Sequence, residues 1–261
     1  MKKILLLLLS FSLSTLYAQL TPTVSSEEKL SIDYFAGFDN FGWRYYVKDN
    51  TFFKEKDGRK LQYQNIGLGK IKRADILNPM NLVLFYEDFN TAVFLDNQLN
   101  EIRKVNFSDY LPEPIVAHAI GNAAQNRLWI FNTATMQIGL YDYLKNTFVS
   151  LTQPLRGNVV CYETDFNHFR WVDENGDAFR CDLFGKIATL GRVPAVEGFR
   201  FVSDTSGLYL SQGNLHYVTF DGNTQQVIDL GKKSPSGFWY GGQNLAIFTP
   251  DGISIYNLKL P

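Results

Sequence analysis

Three aspartates follow short apolar stretches in well-separated parts of the sequence, and their carboxylates are the best candidates for chemistry. They are Asp39, Asp165 and Asp204, with Glu163 close to the second of them. Carboxylate oxygens that converge can bind Ca²⁺, and a bound calcium ion can assist a hydrolase or lyase reaction. Aspartate also ends strands, because its side chain accepts hydrogen bonds from nearby backbone. The sequence leaves both roles open, and the turn role is the more common one.

A second pattern is basic, because lysines and arginines recur in the segments between the repeated units described below. These residues are Lys70, Lys72, Arg73, Arg156, Arg192, Lys232 and Lys233. If the segments share one face of the molecule, they form a basic rim suited to an acidic protein surface, an anionic glycan or lipid head groups. Glu113 interrupts the pattern, and exposed lysine and arginine are also ordinary in loops.

Familiar catalytic signatures are absent from the sequence. His118, His168 and His216 lie far apart, and none has the close spacing to another ligand that zinc sites commonly have. There is no Gly-x-Ser-x-Gly elbow, phosphate-binding loop or His-Glu-x-x-His motif. We therefore predict no catalytic residue and no cofactor, with Ca²⁺ at the three aspartates as the alternative.

The candidate residues are distributed over an internal repeat. Its clearest unit is residues 243–258, two runs of alternating apolar residues joined by Pro250-Asp251-Gly252. Alternation predicts strands buried on one face, and Asp-Gly predicts a tight hairpin turn. The equivalent hairpin ends six times, at steps of 36 to 46 residues, at Asp57, Asp96, Asp142, Asp182, Asp221 and Asn257. This spacing predicts six repeats of four short strands.

The repeat resembles the β-propeller superfamily over residues 32–258, in the architecture of WD40, NHL or YVTN propellers. The Gly-His and Trp-Asp signatures and the YVTN motif are missing, so the resemblance implies a fold and no specific family. We predict an all-β propeller of six four-stranded blades. The sixth repeat ends after three strands, and an unpaired edge would expose a template for another strand. Residues 23–30 of the mature N-terminus are predicted to supply the missing strand.

In such a ring, equivalent strand ends surround a central channel. Asp39, Asp165 and Asp204 end the innermost strands of their predicted repeats, so the fold would bring them round that channel. The arrangement resembles six-bladed calcium-dependent lactonases and esterases, and this resemblance implies Ca²⁺ at the three positions. The connections that carry the basic residues would all emerge on one face.

The N-terminus has the features of a secretory signal peptide. Lys2 and Lys3 precede an apolar run, and Ala18 precedes Gln19. We predict cleavage after Ala18, a single domain over residues 19–261, and no transmembrane segment in the mature chain, because a span needs about 20 apolar residues. The Lys-Lys start and the Ala-Gln junction resemble secreted proteins of Gram-negative bacteria, particularly Bacteroidetes. That resemblance implies a periplasmic location, with outer-membrane association or secretion as alternatives.

Charge argues against bulk nucleic-acid binding. The chain carries a formal charge of −1, and removal of Lys2 and Lys3 leaves 23 basic and 26 acidic residues, a net charge of −3. A near-neutral chain of this kind lacks the strongly basic surface that nucleic acid requires.

The two cysteines are predicted to lie on different strands of one blade. Cys161 falls on the first strand of the fourth repeat and Cys181 on the third. Two strand spacings amount to about 10 Å, whereas a disulfide needs Cα atoms within about 7 Å. The repeat scheme therefore favours free thiols, and a disulfide would mean that these strands are assigned wrongly.

A repeat-built surface without a catalytic constellation predicts a non-catalytic periplasmic binding or scaffold module. Its loops would face a protein partner or an anionic envelope component. The alternative is a calcium-dependent hydrolase or lyase with its site at the channel. A third hypothesis is a permanent structural part of an envelope complex. Most aromatic residues are expected between blades, and the run Phe238-Trp239-Tyr240 is a candidate for lining a binding surface.

Overall fold

The chain forms six antiparallel sheets of four strands in a computed structural model that describes residues 20–110, 113–194, 198–231 and 233–261. The predicted signal peptide, residues 1–18, lies outside the described residues. The strands are β1 (Thr23–Glu28), β2 (Tyr34–Phe38), β3 (Arg44–Lys48), β4 (Thr51–Lys56), β5 (Arg59–Tyr63), β6 (Arg73–Asp75), β7 (Leu82–Tyr86), β8 (Thr91–Leu95), β9 (Glu101–Asn106), β10 (Ala117–Ala123), β11 (Arg127–Asn132), β12 (Gln137–Asp142), β13 (Thr147–Ser150), β14 (Val159–Thr164), β15 (His168–Asp173), β16 (Asp177–Asp182), β17 (Ile187–Arg192), β18 (Gly198–Phe201), β19 (Ser206–Ser211), β20 (Asn214–Thr219), β21 (Gln225–Ile228), β22 (Gly237–Gly241), β23 (Asn244–Thr249) and β24 (Gly252–Asn257).

The six sheets are the blades of a propeller. Strands β2–β5, β6–β9, β10–β13, β14–β17 and β18–β21 form blades 1 to 5 in sequential order, and β22–β24 form blade 6 together with β1. The inner strands of neighbouring blades contact one another in a ring that closes between β22 and β2. Between blades 2 and 3, β10 contacts β7 and is linked to β6 by the hydrogen bond from the Asn122 N–H to Asp75. The six-bladed β-propeller predicted from the repeat spacing is therefore confirmed.

Apolar side chains fill the space between every pair of neighbouring blades. Six separate clusters of buried residues occur, one at each of the six interfaces. The middle strands supply most of them: all five residues of both β7 and β8 are buried, whereas the outermost strand β9 is mostly exposed. Between blades 3 and 4 the cluster contains Trp129, Phe131, Phe169 and Trp171. Bulky rings therefore hold the blades together, as the aromatic content predicts.

The N-terminal strand closes the ring. β1 pairs antiparallel with β24, from Thr23 opposite Asn257 to Glu28 opposite Ile253, which confirms the predicted closing strand. All six residues of β1 are exposed, so the strand gains little from burial. Ion pairs stabilise the C-terminal end of β1, where Glu28 contacts Arg44 at 2.5 Å and Glu27 contacts Lys233.

The two faces of the disc differ in which strand ends they carry. Neighbouring strands are antiparallel, so every innermost strand begins at one face and ends at the other. We call the first the entry face; it carries the connections between blades and the middle hairpin turn of each blade. The other is the exit face, which carries the ends of the innermost strands and the first and third hairpin turns.

The cysteines lie where the repeat scheme places them. Cys161 is on β14, Cys181 is on β16, and both thiols are free. Burial raises the pKa of each thiol to about 12, so neither is a reactive thiolate at neutral pH. Over the described part of the chain, no helix has the length and apolar character needed to cross a membrane.

Candidate binding site at the channel mouth

An open cavity of about 340 Å³ occupies the channel where it reaches the exit face. Its walls come from the innermost strands of five blades and include Tyr34, Arg73, Asp75, Glu163, Arg200 and Trp239. Its mouth comes from the loops that follow β2 and β6, with Asp39, Phe41, Leu77 and Pro79. A concave site with a few convergent polar groups is the usual form of a ligand pocket.

Two arginines enter the cavity from opposite sides. Arg73, on β6, donates to the carbonyl oxygen of Tyr162 at 3.2 Å, and its guanidinium lies 4.2 Å above the Tyr162 ring. It therefore spans the channel from blade 2 to blade 4. Arg200, on β18, donates to the carbonyl oxygen of Tyr240 at 2.6 Å and lies 5.1 Å above the Trp239 ring. Each arginine is thus held by a carbonyl oxygen and by an aromatic ring.

Two carboxylates balance the charge of these arginines, and both accept from backbone. Asp75 is 7% exposed; it accepts from the N–H of Leu77 at 2.9 Å and from the N–H of Asn122 at 2.7 Å. Glu163 accepts from the N–H of Phe201 at 3.1 Å and lies 3.7 Å from Arg200. The carboxylates thus tie blades 2 to 3 and 4 to 5 at the channel wall.

Trp239 forms part of the wall because a glycine faces it. The indole packs edge-on against Phe35 and Phe38, with ring centroids 5.8 and 5.7 Å apart. A Cβ at Gly37 would lie 2.6 Å from the indole, and Gly37 has a φ of +133°. Of the predicted run Phe238-Trp239-Tyr240, it is the middle residue that lines the cavity.

Apolar side chains surround the mouth of the cavity. Phe41, Leu77 and Met80 are 68%, 37% and 64% exposed, and we call them the mouth cluster. Phe41 follows β2, whereas Leu77 and Met80 follow β6, so all three lie on exit-face loops of two neighbouring blades. Phe41 and Leu77 line the cavity itself. Exposed apolar groups that border a concave polar site often mark an interaction surface.

The Asp39 carboxylate accepts hydrogen bonds from its own hairpin. One carboxylate oxygen accepts from the N–H groups of Phe41 and Trp43, both at 2.9 Å, and the other accepts from the Tyr45 hydroxyl at 2.8 Å. Asp39 lies at the mouth of the cavity, but these contacts are those of a strand-ending turn.

Asp165 and Asp204 come together through an arginine. Arg170 donates to Asp165 at 2.6 Å and to Asp204 at 2.7 Å, and Arg180 also binds Asp204. Asp165 directly follows β14, whereas Asp204 lies three residues beyond β18, in the next blade. The structure therefore pairs two of the three aspartates across blades 4 and 5 and leaves Asp39 apart.

These contacts bear on the calcium alternative. Burial by itself raises the pKa of Asp165 and of Asp204, but the hydrogen bonds and charge of Arg170 outweigh it and leave both values lowered. Over the described ranges, no three His, Cys, Asp or Glu side chains are placed to share a metal ion. Ca²⁺ binding stays a prediction of the sequence that no arrangement among the described residues favours.

Replacing Arg170 with Met is expected to lower the free energy of unfolding at neutral pH by about 2 kcal/mol, the order of a hydrogen bond to a charged group. The lowered pKa of Asp165 and Asp204 means that this stabilisation is present above their ordinary value of 3.8 and is lost as the pH falls through the folded-state pKa. Urea unfolding at about pH 7 and about pH 3 measures the loss.

The matched control is Arg192→Met. Arg192 is 72% exposed and 3.7 Å from Asp177, so its loss is expected to cost less than about 0.5 kcal/mol. An Arg170→Met variant that loses as much at pH 3 as at pH 7, or no more than the control, would contradict the assigned role.

The predicted basic rim lies on the entry face, with one exception. Arg73 is the first residue of β6, and its side chain lies in the channel. Lys70, Lys72, Arg156, Arg192 and Lys233 lie at or between strand ends of the entry face. Lys232 lies outside the described residues.

Several of the rim residues contact carboxylates. Lys72 lies 3.0 Å from Glu87, Arg192 lies 3.7 Å from Asp177, and Lys233 binds Glu27. Among the described residues, Lys70 and Arg156 have no ion-pair partner within 4 Å, and both are exposed. The entry face is thus a mixed surface in which acidic groups offset much of the basic charge.

Sequence reasoning missed Arg200 and Asp75 as channel residues. Both stand on innermost strands, which are short in these two blades: β18 has four residues and β6 has three. Their position within predicted innermost strands could have identified them. A charged residue there is buried between blades and needs a partner, so it is a candidate for the channel.

The fold and the cavity define a six-bladed β-propeller with an open channel mouth. Virginiamycin B lyase from Staphylococcus aureus is similar, with a TM-score of 0.58 and 11% identity over 85% of this chain and 79% of that one. The β-propeller domain of Cps50 (Swd1) from Myceliophteria thermophila has a TM-score of 0.61 and 10% identity, over 91% of this chain and 100% of that one.

At such low identity these similarities concern the fold alone. The similar folds include a lyase and the Swd1 propeller domain, so the fold by itself does not choose between an enzyme and a binding module. Comparison with protein-family models and with curated proteins found no match.

Proposed function

We propose that this protein is a non-catalytic binding module that engages a protein partner through its exit face. The observation that carries the proposal is the mouth cluster of Phe41, Leu77 and Met80 beside an open cavity of about 340 Å³. Apolar groups that border a pocket supply the desolvated centre of a protein interface, and the surrounding polar loops supply its rim.

The exit face fits this role better than the entry face does. The basic rim was the first candidate for a binding surface, but Lys72, Arg192 and Lys233 each contact a carboxylate of the same molecule. An anionic partner would have to displace those carboxylates. The mouth cluster has no such competitor, because its side chains are exposed.

The non-catalytic part of the proposal is supported by the use of the candidate carboxylates. Asp39 accepts from its own loop, and Arg170 binds both Asp165 and Asp204. In the cavity itself, Asp75 accepts two backbone hydrogen bonds. A general base needs a free lone pair within reach of the proton that it abstracts.

We place the protein in the periplasm on the strength of its N-terminal sequence. Cleavage after Ala18 would retain the whole of β1, which begins at Thr23. N-terminal sequencing of the protein from the envelope fraction is expected to begin at Gln19. A protein that keeps Met1, or that fractionates with the cytoplasm, would contradict this location.

The binding proposal predicts that a combined Phe41→Ser, Leu77→Ser and Met80→Ser variant captures much less partner from the envelope fraction than the wild type does. Apolar contacts are little screened by salt, so wild-type capture is expected to persist above about 0.5 M salt, where surface charges are screened within a few ångströms. The amount of captured partner at low and high salt is the measurement.

The entry face supplies a matched control. Ile66, Phe89 and Val116 are 87%, 50% and 48% exposed. Ile66 and Val116 lie on connections between blades and Phe89 in the middle hairpin turn of blade 2, all on the entry face. Changing these three residues to Ser removes a similar apolar area and is expected to leave capture unchanged. Loss of capture in this control, with capture kept in the exit-face variant, would move the site to the entry face and refute the proposal.

A further inference from the structure

In the cavity behind the mouth cluster, the carboxylates accept hydrogen bonds from the backbone, whereas some of the N–H donors have no acceptor. Asp75 accepts from two backbone N–H groups, and Glu163 accepts from a third. These bonds hold the channel wall together, so both carboxylates have a structural role in the fold.

Two donors in the cavity wall have no acceptor among the described residues. They are the indole Nε1 of Trp239, whose side chain is 7% exposed, and the Nε of Arg73. Neither group can accept a hydrogen bond, and a buried donor without a partner destabilises the protein that contains it. Both residues line the cavity, but neither nitrogen has solvent-accessible surface, so an acceptor reaches them only if the wall shifts slightly as it binds.

Arg200 adds further donors at the same place. Its Nε is bound to the carbonyl oxygen of Tyr240, while its terminal nitrogens lie toward Glu163 at the long distance of 3.7 Å. The guanidinium lies above the Trp239 ring. The planar group therefore brings terminal N–H donors next to the indole, and this pairing suits a planar acceptor with two oxygens.

The charge of the cavity narrows the class of acceptor. Arg73 and Arg200 are opposed by Asp75 and Glu163, which balance them, and Asp39 at the mouth brings the charged lining to −1. With unpaired donors on Arg200 and three carboxylates in the lining, the site suits a single negative charge better than a double one, because a second charge would add to the repulsion by those carboxylates.

From these observations we infer that the cavity binds a carboxylate of an acidic peptide segment of the partner. Arg200 and Trp239 hold the carboxylate, Arg73 supplies charge from the opposite wall, and the mouth cluster packs on apolar residues beside it. The inference rests on the proposed function and adds the chemical class of what enters the channel. An aspartate or glutamate side chain and a peptide C-terminus offer the same group.

Four peptides of matched shape test the class. They are acetyl-Phe-Glu-Leu-amide, its glutamine and phosphoserine counterparts, and acetyl-Phe-Leu with a free C-terminal carboxylate. Titration calorimetry with the mature protein is expected to give at least about tenfold tighter binding for one of the two carboxylate peptides than for the glutamine peptide. Which of the two binds more tightly identifies the source as a side chain or a C-terminus.

Variants of the cavity tie that binding to the named residues. Arg200→Met is expected to weaken the carboxylate peptide at least about tenfold, and Trp239→Phe, which keeps a ring but loses the N–H, about three- to tenfold. Arg59→Met is the matched control, because Arg59 also lies over a tryptophan, Trp43, at 5.7 Å, outside the cavity. Circular dichroism confirms that each variant is folded.

Binding of both carboxylate peptides no tighter than that of the glutamine peptide, tighter binding of the phosphoserine peptide, no binding of any peptide, or an equal loss in Arg59→Met would each overturn the inference. The proposed function and the carboxylate inference can be distinguished by experiment. If the exit-face serine variant loses the partner while Arg200→Met keeps it, the docking face stands and the carboxylate is excluded.

Discussion

A chain that begins at Lys29, and so lacks β1, is expected to unfold at a temperature about 6–20 °C below that of the chain that begins at Gln19. β1 pairs with β24 at five positions. At about 1 kcal/mol for each backbone hydrogen bond, the lost pairing amounts to about 3–5 kcal/mol. A domain of this size loses about 2–4 °C for each kcal/mol. The bare edge of β24 would also favour aggregation.

Two further variants separate the strand from its ion pairs. Glu27→Gln with Glu28→Gln keeps β1 but removes its contacts with Lys233 and Arg44, and is expected to cost about 1 kcal/mol or less for each exposed pair. Gly252→Ala is expected to reproduce much of the truncation, because its Cβ would lie 2.1 Å from the carbonyl oxygen of Glu28. A truncated chain with an unchanged midpoint in differential scanning calorimetry would show that the ring does not depend on this closure.

The second large effect is expected at Gly121, on the innermost strand of blade 3. A Cβ there would lie 1.9 Å from the Thr164 hydroxyl oxygen and 2.9 Å from the Asp75 carboxylate. These atoms belong to the innermost strands of blades 4 and 2, so three blades meet at this point. Gly121→Ala must push the strands apart, at an expected cost of about 3 kcal/mol or more. A fall of about 6–12 °C in the unfolding midpoint corresponds to 3 kcal/mol.

Gly198→Ala is the matched control for this substitution. Gly198 also lies on an innermost strand, β18, and the nearest atom to its added Cβ would be 3.9 Å away, on Phe238. We expect its midpoint to change by less than about 2 °C, within the range of ordinary surface substitutions. Similar midpoints for the two variants would mean that the blades do not approach as closely at Gly121 as described.

The fold was predictable because its signals are local and repeated. The alternation in residues 243–258 and the turn at Pro250-Asp251-Gly252 define β23 and β24 without any knowledge of the rest of the chain. Repetition of that unit at propeller spacing then sets the number of blades. The closing strand could also be predicted locally, because the last repeat has only three strands and needs a fourth.

The site was less predictable because it depends on side chains that meet across blades. Asp165 and Asp204 were recognised as strand-ending carboxylates, but nothing in their spacing indicates that Arg170 bridges them. The sequence pattern assigned Arg73 to the connection before blade 2. In the structure β6 begins at Arg73 itself, so its side chain lies in the channel. Side-chain direction in a strand alternates with every residue, so an error of one position moves a charge from rim to channel.

Binding at the exit face is tested most directly by photo-crosslinking in intact cells. A photo-crosslinking amino acid placed at position 41 stands in the mouth cluster, and the same amino acid at position 89 stands on the entry face as its control. A discrete crosslinked product is expected from position 41 in cells that make the protein, and none from position 89. The opposite pattern, or equal labelling from both positions, would contradict the assignment of the exit face as the binding surface.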